Sequence, residues 1–435
     1  MFAYYFRLGL RSLKRNPVLT TLMVLGIALG VGTSMTTLTV MYLMGSDPIP
    51  WKSTQLHFVQ VDNWDPERAY TQDGDPPDQM TYRDAVALVE AGKADRQTAM
   101  YKIAPPIQPA NPDIKPFSAT GRATYGDFFA MFEPPFTYGG AWNHDQDTSH
   151  DRVVVLSRKQ NEKLFGGSDS VGKQVRINDV DFRVVGVLDR WQPRIKYYDL
   201  TNGVLDTPED FFIPFTTSIE MKMPSAGNNN CWNNEDAGWD SYLQSECIWI
   251  QTWVQLDSPA RLAEYRSYLD NYVSEQKKLG RFPRPMNNRL YDVRGWMENQ
   301  KVVSSDVEVQ SGLSLAFLAV CLLNTIGLLL AKFMRKSGEI GLRRALGASR
   351  RQLFMQYMIE AGVIGVSGGV LGLLLTGVGL WVVRHLYSDF AAVATLDWAM
   401  VLATVLLAIA ASLLAGLYPT WRACRVVPAL QLKTQ

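Results

Sequence analysis

Four long stretches of this chain carry almost no charge, and no other feature limits its fold so severely. Residues 18–44 and 311–331 hold no charged side chain, and two further apolar runs cover residues 357–383, interrupted only by Glu360, and 398–418. A hydrocarbon core roughly 30 Å thick takes about 20 helical residues to cross. All four runs reach that length. The expected fold class is therefore a membrane protein with four transmembrane α-helices, at residues 17–44, 311–333, 353–386 and 398–419, and a large α+β region, residues 45–310, between the first two. Whole-chain averages conceal this arrangement. With 43 basic and 42 acidic residues and a mean hydropathy of -0.07, they read as a soluble protein.

Charge sets the orientation. Arg7, Arg11, Lys14 and Arg15 precede the first span with no acid among them. The link between the second and third spans, taken as 334–352, is flanked and filled by Lys332, Arg335, Lys336, Arg343, Arg344, Arg350 and Arg351 against Glu339 alone, and the tail, 420–435, adds Arg422, Arg425 and Lys433. The positive-inside bias places all three segments in the cytoplasm. Residues 45–310, with 28 basic and 38 acidic side chains, then lie outside. The first span is too long for a signal-peptide core and "MGSDPIPWK" offers no small-x-small cleavage site, so it is expected to be retained.

Residues 1–16 place Phe2, Tyr5, Phe6, Leu10 and Leu13 on one helical face and Arg7, Arg11 and Lys14 on the other, the pattern of a helix lying among lipid headgroups. In the first span Gly26 and Gly30 are spaced for close helix packing, with Gly32 beside them. Glu360 is the one intramembrane charge, expected to snorkel or to meet a base such as Arg335.

Outside the membrane, "LHFVQVD" reads as a strand, "MTYRDAVALVEAG" as a helix opened by Thr81 and closed by Gly92, and "IWIQTWVQLD" as a strand that leads into a helix and a last strand near "RLYDV". These frame one domain from both ends, with residues 105–245 as an inserted second lobe. "GGSDSVGKQ" differs by one residue from a nucleotide-binding loop. Gln174 stands where a magnesium-ligating Ser or Thr belongs, and "NEKLFGG" reads as a helix end, whereas a P-loop follows a strand. The expectation is instead a glycine-closed helix followed by two strands joined at Asn178-Asp179. "PSAGNNNCWNNEDAGWD" is an exposed loop, and Cys231 in it, with Cys247, is a candidate disulfide for an oxidising compartment. Cys321 and Cys424 should stay reduced. The four histidines have no ligand spacing, so no metal site is expected.

The most informative stretch runs from Arg335 to Gly362. Ser337 is placed to cap a short helix that stops at Gly347, and Ser349 to cap the next helix, which enters the third span. A basic, partly apolar helix between two spans is a docking element.

Here the chain resembles a family. "GEIGLRRALGASRRQ", "EAGVIGVSGGVLG" and "GLYPTWRACRVVPALQL" are similar to the FtsX-type permease domain of MacB-like ABC transporters, and "YGDFFAMF", "DRVVVLSRKQNEKLFGG", "SVGKQVRIND" and "DFRVVGVLDR" to that family's periplasmic core domain. The tail departs from the pattern at Thr420-Trp421. The resemblance implies a coupling helix, with Glu339, Ile340, Leu342, Arg343, Arg344, Leu346 and Gly347 contacting an ATPase. It implies Porter-like and Sabre-like external lobes, and a permease that is not itself an enzyme. It implies that the chain binds no cofactor, ATP and magnesium being used by a separate cytoplasmic ABC ATPase subunit. Further partners implied are a second permease copy or paralogue, a periplasmic adaptor, an outer-membrane exit duct and membrane lipids, with no nucleic acid. The place implied is the bacterial inner membrane. The function implied is mechanotransmission driving export from the periplasm. The alternatives are an FtsX-like scaffold relaying motion to a cell-wall hydrolase, and a lipoprotein-releasing permease.

Overall fold

The computed structural model describes residues 16–233, 237–386, 390, 393–396 and 398–425. The interfacial helix expected over 1–16 and the end of the tail lie outside the described residues, Asn16 apart. Two compact units result, one formed by the chain up to Ser46 and from Val303 onward, the other by Asp47–Val302.

Among the described residues the first unit contains four helices long and apolar enough to cross a membrane: Pro17–Gly45, Ser305–Met334, Arg350–Leu386 and Trp398–Cys424. Pro17 opens the first, where its missing N–H costs nothing. The second helix starts six residues before its uncharged run, with Asp306 and Glu308 in the first turn, where carboxylates suit the positive end of the helix dipole. The first span packs against the second and third, and the third against the fourth.

Small residues make those contacts close. A Cβ on Gly30 would lie 2.9 Å from Leu318 Cδ1 and 3.0 Å from Cys321 Cβ in the second span, whereas a Cβ on Gly32 would lie 2.8 Å from Leu375 Cβ in the third. Gly26 is looser, its nearest neighbour Thr325 Oγ1 at 3.6 Å. The third span repeats the device: Gly368 faces Ile27, Gly369 faces Ala408, and Gly365 leaves no room at all beside Ser412. Hydroxyls add to this packing. Ser34 donates to the Ser314 carbonyl at 2.8 Å and Thr37 Oγ1 meets Ser314 Oγ at 2.8 Å, joining the first and second spans.

The second unit is built on one mixed sheet. Its strands are β1 Leu56–Gln60, β2 Arg96–Ile103, β3 Pro106–Gln108, β4 Phe117–Ser118, β5 Gly121–Thr124, β6 Phe136–Gly139, β7 Val153–Leu156, β8 Gln174–Ile177, β9 Val180–Leu188, β10 Phe211–Pro214, β11 Gln251–Gln255 and β12 Arg289–Asp292. They are ordered β12-β1-β11-β2-β5-β10-β7-β9-β8-β3-β4, with β6 beside β9. Pairing is antiparallel except for β5 with β10 and β7 with β9. The stretch 105–245, expected as an inserted lobe, contributes β3 to β10 to this same sheet. The joint is the antiparallel pairing of β2 with β5, Met100 opposite Thr124. All five residues of β1, paired on both sides by β11 and β12, are buried, and Phe58 stacks on Trp296 at 3.8 Å and meets the edge of Trp253 at 5.3 Å.

Local signals act as their chemistry dictates. Thr81 caps the helix Tyr82–Glu90 by accepting from Asp84 N, and Ser258 caps Pro259–Lys278 by accepting from Arg261 N. The helix Arg158–Phe165 ends at Gly166 and Gly167, at φ +66 and +82. Asn178 and Asp179, both at positive φ, form the turn between β8 and β9.

Candidate functional site

The joint between the second and third spans is a short helix, Ser337–Ala345, with Ile340 and Gly341 buried. Ser337 does not cap it. Arg335 stays helical, and Lys336, the residue before the helix, has φ -92 and ψ 7, short of the extended backbone that would aim a capping side chain. The span itself leads in, with Lys336 N donating to Phe333 O and Ile340 N to Lys336 O. The helix stops at Gly347, φ +98, where Ala348 N reaches Arg343 O and Gly347 N reaches Arg344 O. This paired closure needs the left-handed residue that glycine supplies cheaply. Ser349 then opens the third span with a reciprocal cap: its Oγ accepts from Gln352 N at 3.2 Å and its N donates to Gln352 Oε1 at 3.0 Å.

The short helix has two unlike faces. Ile340 is 1% exposed and joins a core with Phe333, Leu353 and Tyr357, while Leu342 and Leu346 are 56% and 80% exposed. Glu339 and Arg343 pair one turn apart at 2.5 Å, and Arg343 Nη1 also donates to Gln356 Oε1 of the third span at 3.1 Å. Arg344 is half-buried on the same helix. One apolar side chain anchors the helix, and two others face outward beside an ordered arginine.

Glu360 does not snorkel, and its partner is not Arg335. It is buried, with Lys332 Nζ at 2.7 Å and Lys336 Nζ at 3.7 Å.

In the second unit, Cys231 and Cys247 are joined by a disulfide. The glycine-rich loop has its backbone N–H groups engaged: Gly172 N donates to Val184 O at 2.8 Å and Gly166 N to Glu162 O at 3.0 Å. Those are the donors a phosphate would need. Among the described residues no group of three or more His, Cys, Asp or Glu side chains is placed to hold a metal ion.

A network that sequence reading missed lies within the sheet. Arg122 of β5, fully buried, donates from Nε to Glu209 Oε1 at 2.8 Å and from Nη1 to Gln251 Oε1 of β11 at 3.2 Å, and it also contacts Asp199. Lys196 Nζ lies 2.9 Å from Glu209 Oε1, and Tyr198 donates to Glu209 Oε2 at 2.8 Å. Burial alone pushes the Glu209 carboxyl up, but Arg122 and Lys196 more than offset it and hold it at about 2. Asp199 is lowered in the same way, burial being outweighed by Arg122 and Lys196.

Four apolar helices with a mixed α/β domain set between the first and second define a multi-pass membrane protein with a large extracytoplasmic domain. The family model for the MacB-like periplasmic core domain matches residues 20–272, and that for the FtsX-like permease C-terminal matches 311–428. The chain belongs to this family of MacB-like, FtsX-type ABC transporter permeases. It is 22% identical over 299 residues to a macrolide export ATP-binding/permease protein MacB of Chlorobium phaeobacteroides, covering 68% of this chain and 40% of that one. It is 25% identical over 330 residues to a pyoverdine export ATP-binding/permease protein PvdT of Pseudomonas entomophila, covering 73% and 43%. The chain thus spans about two fifths of the length of these relatives. The solved periplasmic region of MacB from Actinobacillus actinomycetemcomitans aligns with 60% of this chain and 98% of its own at 15% identity, with a TM-score of 0.39.

Proposed function

We propose that the chain is the permease subunit of an ABC exporter that works by mechanotransmission in a bacterial inner membrane. A separate cytoplasmic ATPase subunit docks on the helix Ser337–Ala345, and its ATP-driven closure displaces that helix and the spans on either side. The termini lie in the cytoplasm and the Asp47–Val302 domain in the periplasm, joined in the chain directly to the first and second spans. Movement of those spans therefore acts on the domain, and no substrate path through the bilayer is required.

The observation that carries this reading is the divided short helix, Ile340 fixed in the bundle core while Leu342 and Leu346 stay uncovered beside Arg343. Exposed leucines on a helix between two spans suit an apolar cleft on a soluble partner. The matched relatives are named for export of a macrolide and of pyoverdine, which supports export as the output. A second permease copy or paralogue completes the assembly, with an adaptor and an outer-membrane duct receiving the cargo. Lipids cover the apolar outer faces of the spans.

The test is reconstitution in nanodiscs with the ABC ATPase that co-purifies from the native host. The reading expects ATP hydrolysis to rise on assembly, and an alkaline phosphatase fusion at residue 200 to be active. A fusion active only as a cytoplasmic reporter would overturn the topology and the mechanism with it.

A further inference from the structure

Glu360 lies ten residues into the third span from Arg350, roughly 15 Å along the helix at 1.5 Å per residue. Its carboxylate meets two ammonium groups that come from opposite sides of one joint. Lys332, 0% exposed at its side chain, belongs to the last turn of the second span; Lys336, 17% exposed, is the residue from which the short helix starts. The contacts differ in closeness, 2.7 Å to Lys332 and 3.7 Å to Lys336. Below them, Arg343 of the short helix holds Gln356, one turn before Glu360 in the third span, and Phe333 packs on Tyr357 with ring centroids 4.5 Å apart.

Stability is a poor account of this arrangement. A buried ion pair commonly contributes no more than apolar side chains of the same volume would, and within a membrane bundle the desolvation of both charges is costly. What the pair supplies is a fixed geometry, since a buried carboxylate follows its ammonium partners and loses heavily if they part.

We infer that Glu360 is a positioning residue that couples displacement of the helix Ser337–Ala345 to the second and third spans. Lys332 is the fixed side of the pin, and Lys336 is the side that closes or opens as the short helix swings. This rests on the mechanotransmission reading above and names the residues through which the movement passes.

The experiment uses the permease assembled with its ATPase in nanodiscs and compares wild type with the double variant Lys332→Met/Glu360→Met. The double variant removes the two fully buried charges together, so the only charge of the three that remains is Lys336, on the partly exposed side. It is expected to melt at or above the wild-type temperature and to keep the KM for ATP, while permease-dependent stimulation of hydrolysis falls at least about fivefold, the lower end of typical coupling energies. Lys336→Met, on the partly exposed side, should reduce stimulation with no change in melting. Wild-type stimulation in the double variant overturns the assignment alone, as does a loss that merely follows a drop in melting temperature. A wild-type protein that stimulates no ATPase overturns the underlying reading, and this inference with it.

Discussion

Arg122 and Glu209 stand 87 residues apart in the chain and meet at 2.8 Å with both side chains fully buried. Their contact lies beside the parallel pairing of β5 with β10, because Arg122 is in β5 and Glu209 comes two residues before β10 begins. The pair thus ties β5 to the segment entering β10, one strand along from the pairing of β2 with β5.

Removing one member should be far worse than removing several. Arg122→Met leaves Asp199 and Glu209 buried with Lys196 as their remaining cation, a loss on the order of 3–5 kcal/mol that thermal unfolding would read. The pH response has a definite sign. Glu209 is held down, to about 2, so its contribution is present above the unfolded carboxylate value of roughly 4.3 and is lost as pH falls through about 2. Near-UV circular dichroism between pH 5 and pH 2 should show the external domain loosening in acid, and the Arg122→Met protein doing so at higher pH.

The disulfide between Cys231 and Cys247 closes a loop with a sequence separation of 16. Chain entropy predicts about 3 kcal/mol from a closure of that size. A membrane-impermeant maleimide should leave both residues unlabelled until the protein is reduced, and reduction should lower the melting temperature. Labelling of both without reductant would refute the bond.

The two faces of the short helix should fail in different ways. Leu346→Glu, at an 80% exposed position, should leave melting unchanged and abolish binding of the ATPase, measured by co-purification. Ile340→Ala opens a cavity in the bundle core, and a loss of about 2–5 kcal/mol should appear in melting as well.

Glycines of the first span should tolerate a methyl group unequally. Gly32→Ala brings a Cβ to 2.8 Å from Leu375 Cβ and must push the first and third spans apart, whereas Gly26→Ala finds its nearest atom at 3.6 Å. Overpacking of this kind typically costs about 1–3 kcal/mol. Unfolding in mild detergent should separate the two variants, with Gly26→Ala close to wild type.

Much of this architecture is local in origin, and the sequence determines that part alone. Uncharged runs of span length have nowhere to go but lipid, Thr81 and Ser349 carry the hydroxyls that start helices, and Asn178-Asp179 accepts the positive φ of a tight turn. Each of these follows from neighbours within a few residues, so no knowledge of the rest of the chain is needed. Ser337 shows where even local reading fails: a capping residue caps only if the chain arrives extended, and here it arrives helical from the second span. Tertiary structure alone decided that residues 105–245 extend the same sheet, that Gly30 and Gly32 face different helices, and that Glu360 is held by Lys332. Strand order, helix neighbours and buried ion pairs join positions tens to hundreds of residues apart. Sequence spacing cannot encode them, because they are fixed only when the whole chain has chosen which faces to bury.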